Sequence, residues 1–213
     1  MIEAVLFDVD GVLIDSHDAN VAFYRDFLAG YGYHDLTETD LEHGHYRSLR
    51  EAIVFLTRAP EETIEALYRE ARDLPGYRYD LLRVPDGCGD ALAALGQTHA
   101  LGIVTSRERF GIEHFYGFSG LQPHFRVAIG YEDTEKHKPD PEPLLEACRR
   151  LGVAPERTLY VGDAPGDLVC ARAAGAHFVA YGEAIADADR VIRGFDALLP
   201  LLDEVMSSLQ VAR

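Results

Sequence analysis

The sequence predicts an α/β fold, a doubly wound parallel sheet with an all-helical segment inserted after its first strand. Short, continuous apolar runs recur along the chain, each ending at Gly, Asp, Ser or Thr and followed by a helical pattern, which is the signature of βαβ units. Continuous rather than alternating apolar runs mark strands covered by helices on both faces. Between residues 16 and 82 the rhythm stops and only helical periodicity remains.

The first run, Ala4-Val5-Leu6-Phe7, ends at Asp8. Residues 16–82 then carry apolar positions at helical spacing, as in Val21, Phe23, Tyr24, Phe27 and Leu28 and again in Leu49, Ile53, Val54 and Leu56. Asp15-Ser16 opens this segment and Arg83-Val84-Pro85-Asp86-Gly87 closes it as a hinge. A helical cap domain of residues 16–82 is therefore expected on a core domain of residues 1–15 and 83–213. Further strands are expected over Leu101 to Val104, ending at Thr105; Val127 to Ile129, ending at Gly130; Leu159 to Val161, ending at Gly162-Asp163; and Phe178 to Ala180, ending at Tyr181-Gly182. Asp140-Pro141 opens an amphipathic helix through Leu144, Leu145, Cys148 and Leu151, with Gly152 in the position of a C-terminal cap. A helix over Gly166 to Ala174 closes at Gly175, and a last one runs from Phe195 to Leu209.

Composition narrows the function classes. The 213 residues are 47% hydrophobic and 26% charged, proportions of a soluble globular chain with a core of its own. A formal charge of -16 argues against nucleic acid and anionic membranes as partners, since both require a clustered basic surface. No run approaches a membrane span, and Met1-Ile2-Glu3 starts without the features of a signal peptide. Three cysteines without metal-type spacing fit a reducing compartment, so a cytoplasmic location is expected. Only two of the 20 basic residues are lysines, Lys136 and Lys138, and both fall within five residues.

Ligands of open parallel sheets bind beyond the carboxyl ends of the strands, so the residues that end each run share one rim. Those residues are Asp8 and Asp10, Thr105 and Ser106, and Asp163 and Asp167. Four carboxylates on one rim need a cation, and hard oxygen ligands suit magnesium. Asp8 and Asp10, two apart on an extended segment, point the same way.

Asp8-Val9-Asp10-Gly11-Val12, Thr105-Ser106, Lys138-Pro139 and Gly162-Asp163-Ala164-Pro165-Gly166-Asp167 together resemble, in order and spacing, the four motifs of the haloacid dehalogenase-like phosphohydrolase superfamily. The resemblance spans about residues 4 to 182 and implies a Rossmann-like core. It implies that Asp8 is the nucleophile that forms an aspartyl-phosphate, and that Asp10 is general acid and then general base. Magnesium would be held by Asp8, the Asp10 carbonyl and Asp163, with Asp167 beside them. Thr105, Ser106 and the backbone there would bind phosphate, and Lys138 would neutralise Asp8 and the phosphoryl group. Two positions depart from the family: Ser106, where many relatives carry Asn, and Ala164, where many carry a hydroxyl residue.

Asp10 favours phosphoryl over dehalogenase chemistry, and a cap without lysine excludes the Schiff-base branch. In the cap, His43-Gly44-His45-Tyr46-Arg47-Ser48-Leu49-Arg50 resembles the specificity segment of phosphoglycolate phosphatase-like and β-phosphoglucomutase-like relatives. Gly44 is expected to allow close substrate approach, and Arg47 or Arg50 to clamp an oxyanion of the leaving group. His43 and His45 lack a third ligand and are not expected to bind metal. The cap holds seven arginines against 13 acidic residues, so attraction of an anionic substrate must be local. The expected activity is magnesium-dependent hydrolysis of a small phosphorylated metabolite, phosphoglycolate foremost, by a monomer or homodimer. A β-phosphoglucomutase-like mutase, an inorganic pyrophosphatase and a catalytically silent binding relative are the alternatives.

Overall fold

The computed structural model describes residues 1–211, with side chains to residue 204. One sheet of six parallel strands has the order β3-β2-β1-β4-β5-β6, where β1 is Ala4–Phe7, β2 Ala100–Val104, β3 Val127–Ile129, β4 Thr158–Gly162, β5 His177–Tyr181 and β6 Val191–Ile192. The chain winds outward in both directions from β1 and β4, so the switch point lies between them.

Alternation along the central strands divides the core. Val5, Phe7, Leu101, Ile103, Leu159, Val161 and Val179 face one layer, while Leu6, Val104, Tyr160, Phe178 and Ala180 face the other. The first layer is completed by α5 (Cys88–Leu95) and by Phe195, Leu198 and Leu202, the second by α7 (Glu142–Leu151) and α8 (Pro165–Ala174). Gly152 and Gly175 end α7 and α8 in the left-handed conformation. The chain's last helix, α9, spans Leu198–Val211, preceded by a 3-10 turn at Phe195–Ala197 where the sequence predicts helix throughout.

Between β1 and β2 lie α1 (His17–Ala29), α2 (Glu38–His45), α3 (Leu49–Thr57) and α4 (Glu61–Ala71). They share an apolar cluster that includes Phe23, Phe27, Leu28, Leu41, Ile53, Leu56, Ile64 and Leu67. Capping boxes at Thr37/Asp40 and Ser48/Glu51 start α2 and α3. Where the chain leaves and rejoins the sheet layer, Asp15 N–H donates to Arg83 O at 2.8 Å and Arg83 N–H to Asp15 O at 3.2 Å. The helix α6 (Arg109–Ser119) follows β2.

The three cysteines are free and buried. Among the described residues no helix is long and apolar enough to cross a membrane.

Candidate active site

Asp8 follows β1 and Asp163 follows β4, so the switch point sets the two carboxylates on adjacent strand ends. Asp167 joins them from the first turn of α8, and one oxygen from each of the three lies within 4.8 Å of the others. Asp8 and Asp167 are buried and Asp163 is half-buried. Two glycines permit this density. A Cβ on Gly11, whose φ is +71°, would fall 2.0 Å from Asp163 Oδ2, and one on Gly162 would fall 2.5 Å from the Asp167 side chain.

One cation enters the cluster. Lys138 Nζ donates to Asp8 Oδ2 and to Asp167 Oδ1, both at 2.7 Å, and its side chain is almost wholly buried. The Tyr160 hydroxyl accepts from Lys138 at 3.3 Å and donates to the Val104 carbonyl at 2.9 Å. Ala164 N–H donates to Asp167 Oδ2 at 3.1 Å, so at this departure from the family pattern the backbone amide satisfies the carboxylate. Val9 N–H donates to Asp8 Oδ1 at 2.7 Å.

Three carboxylates against one ammonium leave excess negative charge. Burial, helped by repulsion from Asp167 and Asp10 and opposed by Lys138, pushes the Asp8 carboxyl up to about 7. Burial and the charges of Asp8 and Asp167 push Asp163 up to about 8. Burial would lower Lys138, but Asp167 and Asp8 outweigh it and hold the ammonium above its usual range. An all-oxygen donor set that resists ionisation, with a recess at Gly11 that a Cβ would fill, fits a hard divalent cation.

A pH dependence follows. Asp8 and Asp163 keep their protons in the folded protein up to about pH 7 and 8, whereas the unfolded chain releases them near 4. Their contribution to stability is full below the unfolded value and is lost as pH rises through the folded values. The metal-free protein is therefore expected to melt at a lower temperature at about pH 8.5 than at about pH 5.5, and magnesium to raise the melting temperature more at the higher pH. Calorimetry at both pH values checks this, and magnesium shifts of equal size at both would contradict it.

Asp10 lies apart from this cluster. Arg107 grips its carboxylate in a bidentate pair, Nε to Oδ2 and Nη2 to Oδ1, each 2.6 Å, while Ser16 donates from its hydroxyl and Asn20 Nδ2 from 3.2 Å. Burial would raise this carboxyl, but the Arg107 guanidinium outweighs it and holds the acid well below the carboxylate range. The network extends through Asn20 to His45 Nδ1 at 3.1 Å and to the Tyr77 hydroxyl, which donates to Asn20 Oδ1 at 2.6 Å. Sequence reasoning missed Arg107, Asn20 and Tyr77, and named His45 only within the cap segment, without this contact. The available signal was Arg107 itself, a cation directly after Thr105-Ser106 on an otherwise acidic rim.

A cavity of about 360 Å³ separates the strand ends from the helices that precede β2. Asp8, Asp10, Thr105, Ser106, Lys138, Asp163 and Asp167 line it from the sheet side and Arg47 from the other. Thr105 is buried, and its Oγ1 accepts from Arg107 N–H at 3.2 Å. The Arg47 guanidinium stacks 4.2 Å over the Phe55 ring and bonds to the His43 carbonyl.

Two expected site residues lie outside the cavity lining. Arg50 pairs with Glu61 and Glu65, the latter at 3.1 Å, so the charges of α4 draw it away. Gly44 allows a close approach, but of α2 to α3: a Cβ there would come within 3.1 Å of Leu56 Cδ1.

Comparisons with known proteins identify the family and the fold. A family model described as haloacid dehalogenase-like hydrolase matches residues 5–181. An N-acetylmuramic acid 6-phosphate phosphatase of Pseudomonas aeruginosa is 32% identical over 82% of this chain and 79% of its own length. A phosphoglycolate phosphatase of Salmonella paratyphi A is 39% identical over 51% of this chain, which spans about half of that relative, 48%. The crystal structure of a HAD-superfamily hydrolase, subfamily IA, variant 1, from Geobacter sulfurreducens superposes with a TM-score of 0.73 at 29% identity, covering 94% of this chain and 96% of that one.

Proposed function

The chain belongs to the haloacid dehalogenase-like hydrolase family and is a phosphatase of that family, and from that premise we propose that it hydrolyses a small phosphomonoester, magnesium-dependently and through an aspartyl-phosphate. The observation that carries the reading is the convergence of Asp8, Lys138, Asp163 and Asp167 at the switch point, facing a cavity with Thr105 and Ser106 on its wall.

In this reading an Asp8 carboxylate oxygen attacks phosphorus in line, forming the Asp8–phosphorus bond as the ester bond to the leaving oxygen breaks. Asp10, on leaving the Arg107 pair, takes up a proton from solvent, passes it to that oxygen and afterwards takes one from the attacking water, which releases phosphate and restores Asp8. Lys138 neutralises charge on Asp8 and on the phosphoryl oxygens. Thr105, Ser106 and the backbone amides after them orient those oxygens. Asp8, Asp163, the Asp10 carbonyl and Asp167 would hold magnesium, which would supply the charge neutralisation an anion needs to approach three carboxylates. Residues 16–82 act as the cap, excluding water during transfer.

Both relatives' names specify a phosphate ester that carries a carboxylic acid, and phosphoglycolate is the leading candidate here. The hydrolase is preferred to a mutase because a mutase needs a second phosphate pocket in the cap, where Arg47 is engaged with Phe55 and the His43 carbonyl. The test is phosphate release from a panel of phosphoglycolate, N-acetylmuramic acid 6-phosphate, sugar phosphates, nucleotides, pyrophosphate and p-nitrophenyl phosphate, each with magnesium and with EDTA. A carboxylated ester well above the rest, only with magnesium, is the expected result. Interconversion of sugar phosphates without phosphate release would replace the hydrolase with the mutase.

A further inference from the structure

Arg107 is the cation of the cavity paired with the group that must reach the leaving oxygen. Lys138 is committed to Asp8 and Asp167, and Arg47 to Phe55 and a main-chain carbonyl. Arg107 spends two of its five N–H groups on the Asp10 carboxylate and a third on the Gly111 carbonyl at 3.3 Å, and its side chain keeps an exposed face toward the cavity. Asp10 occupies the guanidinium fork as a substrate carboxylate would, with two parallel bonds of 2.6 Å. It is also the group that must reach the leaving oxygen, so it cannot stay in that fork during transfer.

The walls around this pair are mostly apolar, formed by Phe23, Tyr24, Leu49, Leu74, Tyr77 and Phe110. A leaving group in this space meets Arg107 as the guanidinium beside Asp10, with Asn20 and His45 next to it and Arg47 on the other wall. The overall charge of -16 repels anions at longer range, so selection for a second anionic group must come from a contact of this kind.

We propose that Arg107 is a specificity-determining residue that recognises a carboxylate on the leaving group, exchanging Asp10 for that carboxylate and freeing Asp10 to turn toward the ester oxygen. Substrates without a second anion leave the guanidinium on Asp10, and the exchange then has no replacement partner. The inference rests on the phosphatase reading and names the substrate class that the reading leaves open. An arginine built for bidentate contact discriminates against a ligand that lacks the matching group, because without that group Asp10 stays in the fork and is not delivered to the ester oxygen.

The test is calorimetric titration of Asp8→Asn protein, with magnesium, against 2-phosphoglycolate and against ethyl phosphate, its analogue without the carboxylate. In the Asp8→Asn parent the carboxylated ligand is expected to bind at least ~30-fold more tightly, about 2 kcal/mol. Adding Arg107→Gln brings the two affinities within about threefold of each other, and adding Arg107→Lys retains part of the preference, because a point charge replaces a fork. Equal affinities in the parent, or a preference that survives Arg107→Gln, overturns the proposal. Melting curves of each variant establish that it is folded, and Arg107→Lys keeps the test decisive if the glutamine variant is not. Magnesium-dependent phosphate release by the unsubstituted protein from the substrate panel, carboxylated esters included, reports separately on the phosphatase reading, so its failure is told apart from a failure at Arg107.

Discussion

Asp8→Asn is expected to lower phosphate release by at least ~10⁴-fold with every substrate, because the substitution removes the nucleophile rather than an auxiliary group. The fold is not expected to suffer. Burial and the neighbouring carboxylates already push Asp8 up to about 7, so a neutral amide at that position relieves repulsion at higher pH. Lys138 keeps Asp167 as a partner at 2.7 Å. In the absence of metal, the melting temperature near pH 8 should therefore equal or exceed that of the parent, while the increase caused by magnesium shrinks. Steady-state assays on protein purified free of host phosphatases, with calorimetric melts alongside, check both halves. Turnover within ~100-fold of the parent would remove Asp8 from the nucleophile role.

What the sequence disclosed about this molecule depended on range. The central strands β1, β2, β4 and β5 were legible because each is an apolar run buried on both faces, and their ends gave the rim residues directly. β6 was not: it is two residues long, and Val191 is exposed. Asp8, Asp163, Asp167 and Lys138 were legible as motifs, and the structure brings them within hydrogen-bond or ligand distance of one another.

The pairing of Arg107 with Asp10 was not legible, since it joins residues 97 apart in sequence and has no local pattern. Gly44 and Arg50 show the opposite difficulty. A glycine inside a helix signals close approach, but not whether a ligand or Leu56 approaches, and an arginine at a helix start does not reveal that Glu61 and Glu65 of the next helix lie beside it. In both cases the residue type carries the local chemistry, while the partner it meets is set by helix packing.

Asp10→Asn should separate substrates by their leaving groups. An asparagine cannot donate the proton of a carboxylic acid, so 2-phosphoglycolate, whose alkoxide leaves poorly, is expected to lose ~10³-fold in kcat. The nitrophenolate of p-nitrophenyl phosphate departs without protonation, and its first step should fall by only ~10-fold. Loss of the base then slows attack of water on the aspartyl-phosphate, so this substrate should give a burst of nitrophenolate close to one per enzyme, followed by a slow steady rate. The same substitution breaks the bidentate pair with Arg107, whose largely buried guanidinium is left without a counter-charge. A loss of stability of up to about 3 kcal/mol is therefore expected as well, and the assays belong at a temperature where melts show the variant folded. Stopped-flow measurement of nitrophenolate checks the burst. Equal losses for both substrates without a burst would show that Asp10 serves only to hold Arg107, and the proton would then have to come from another group on the cavity wall.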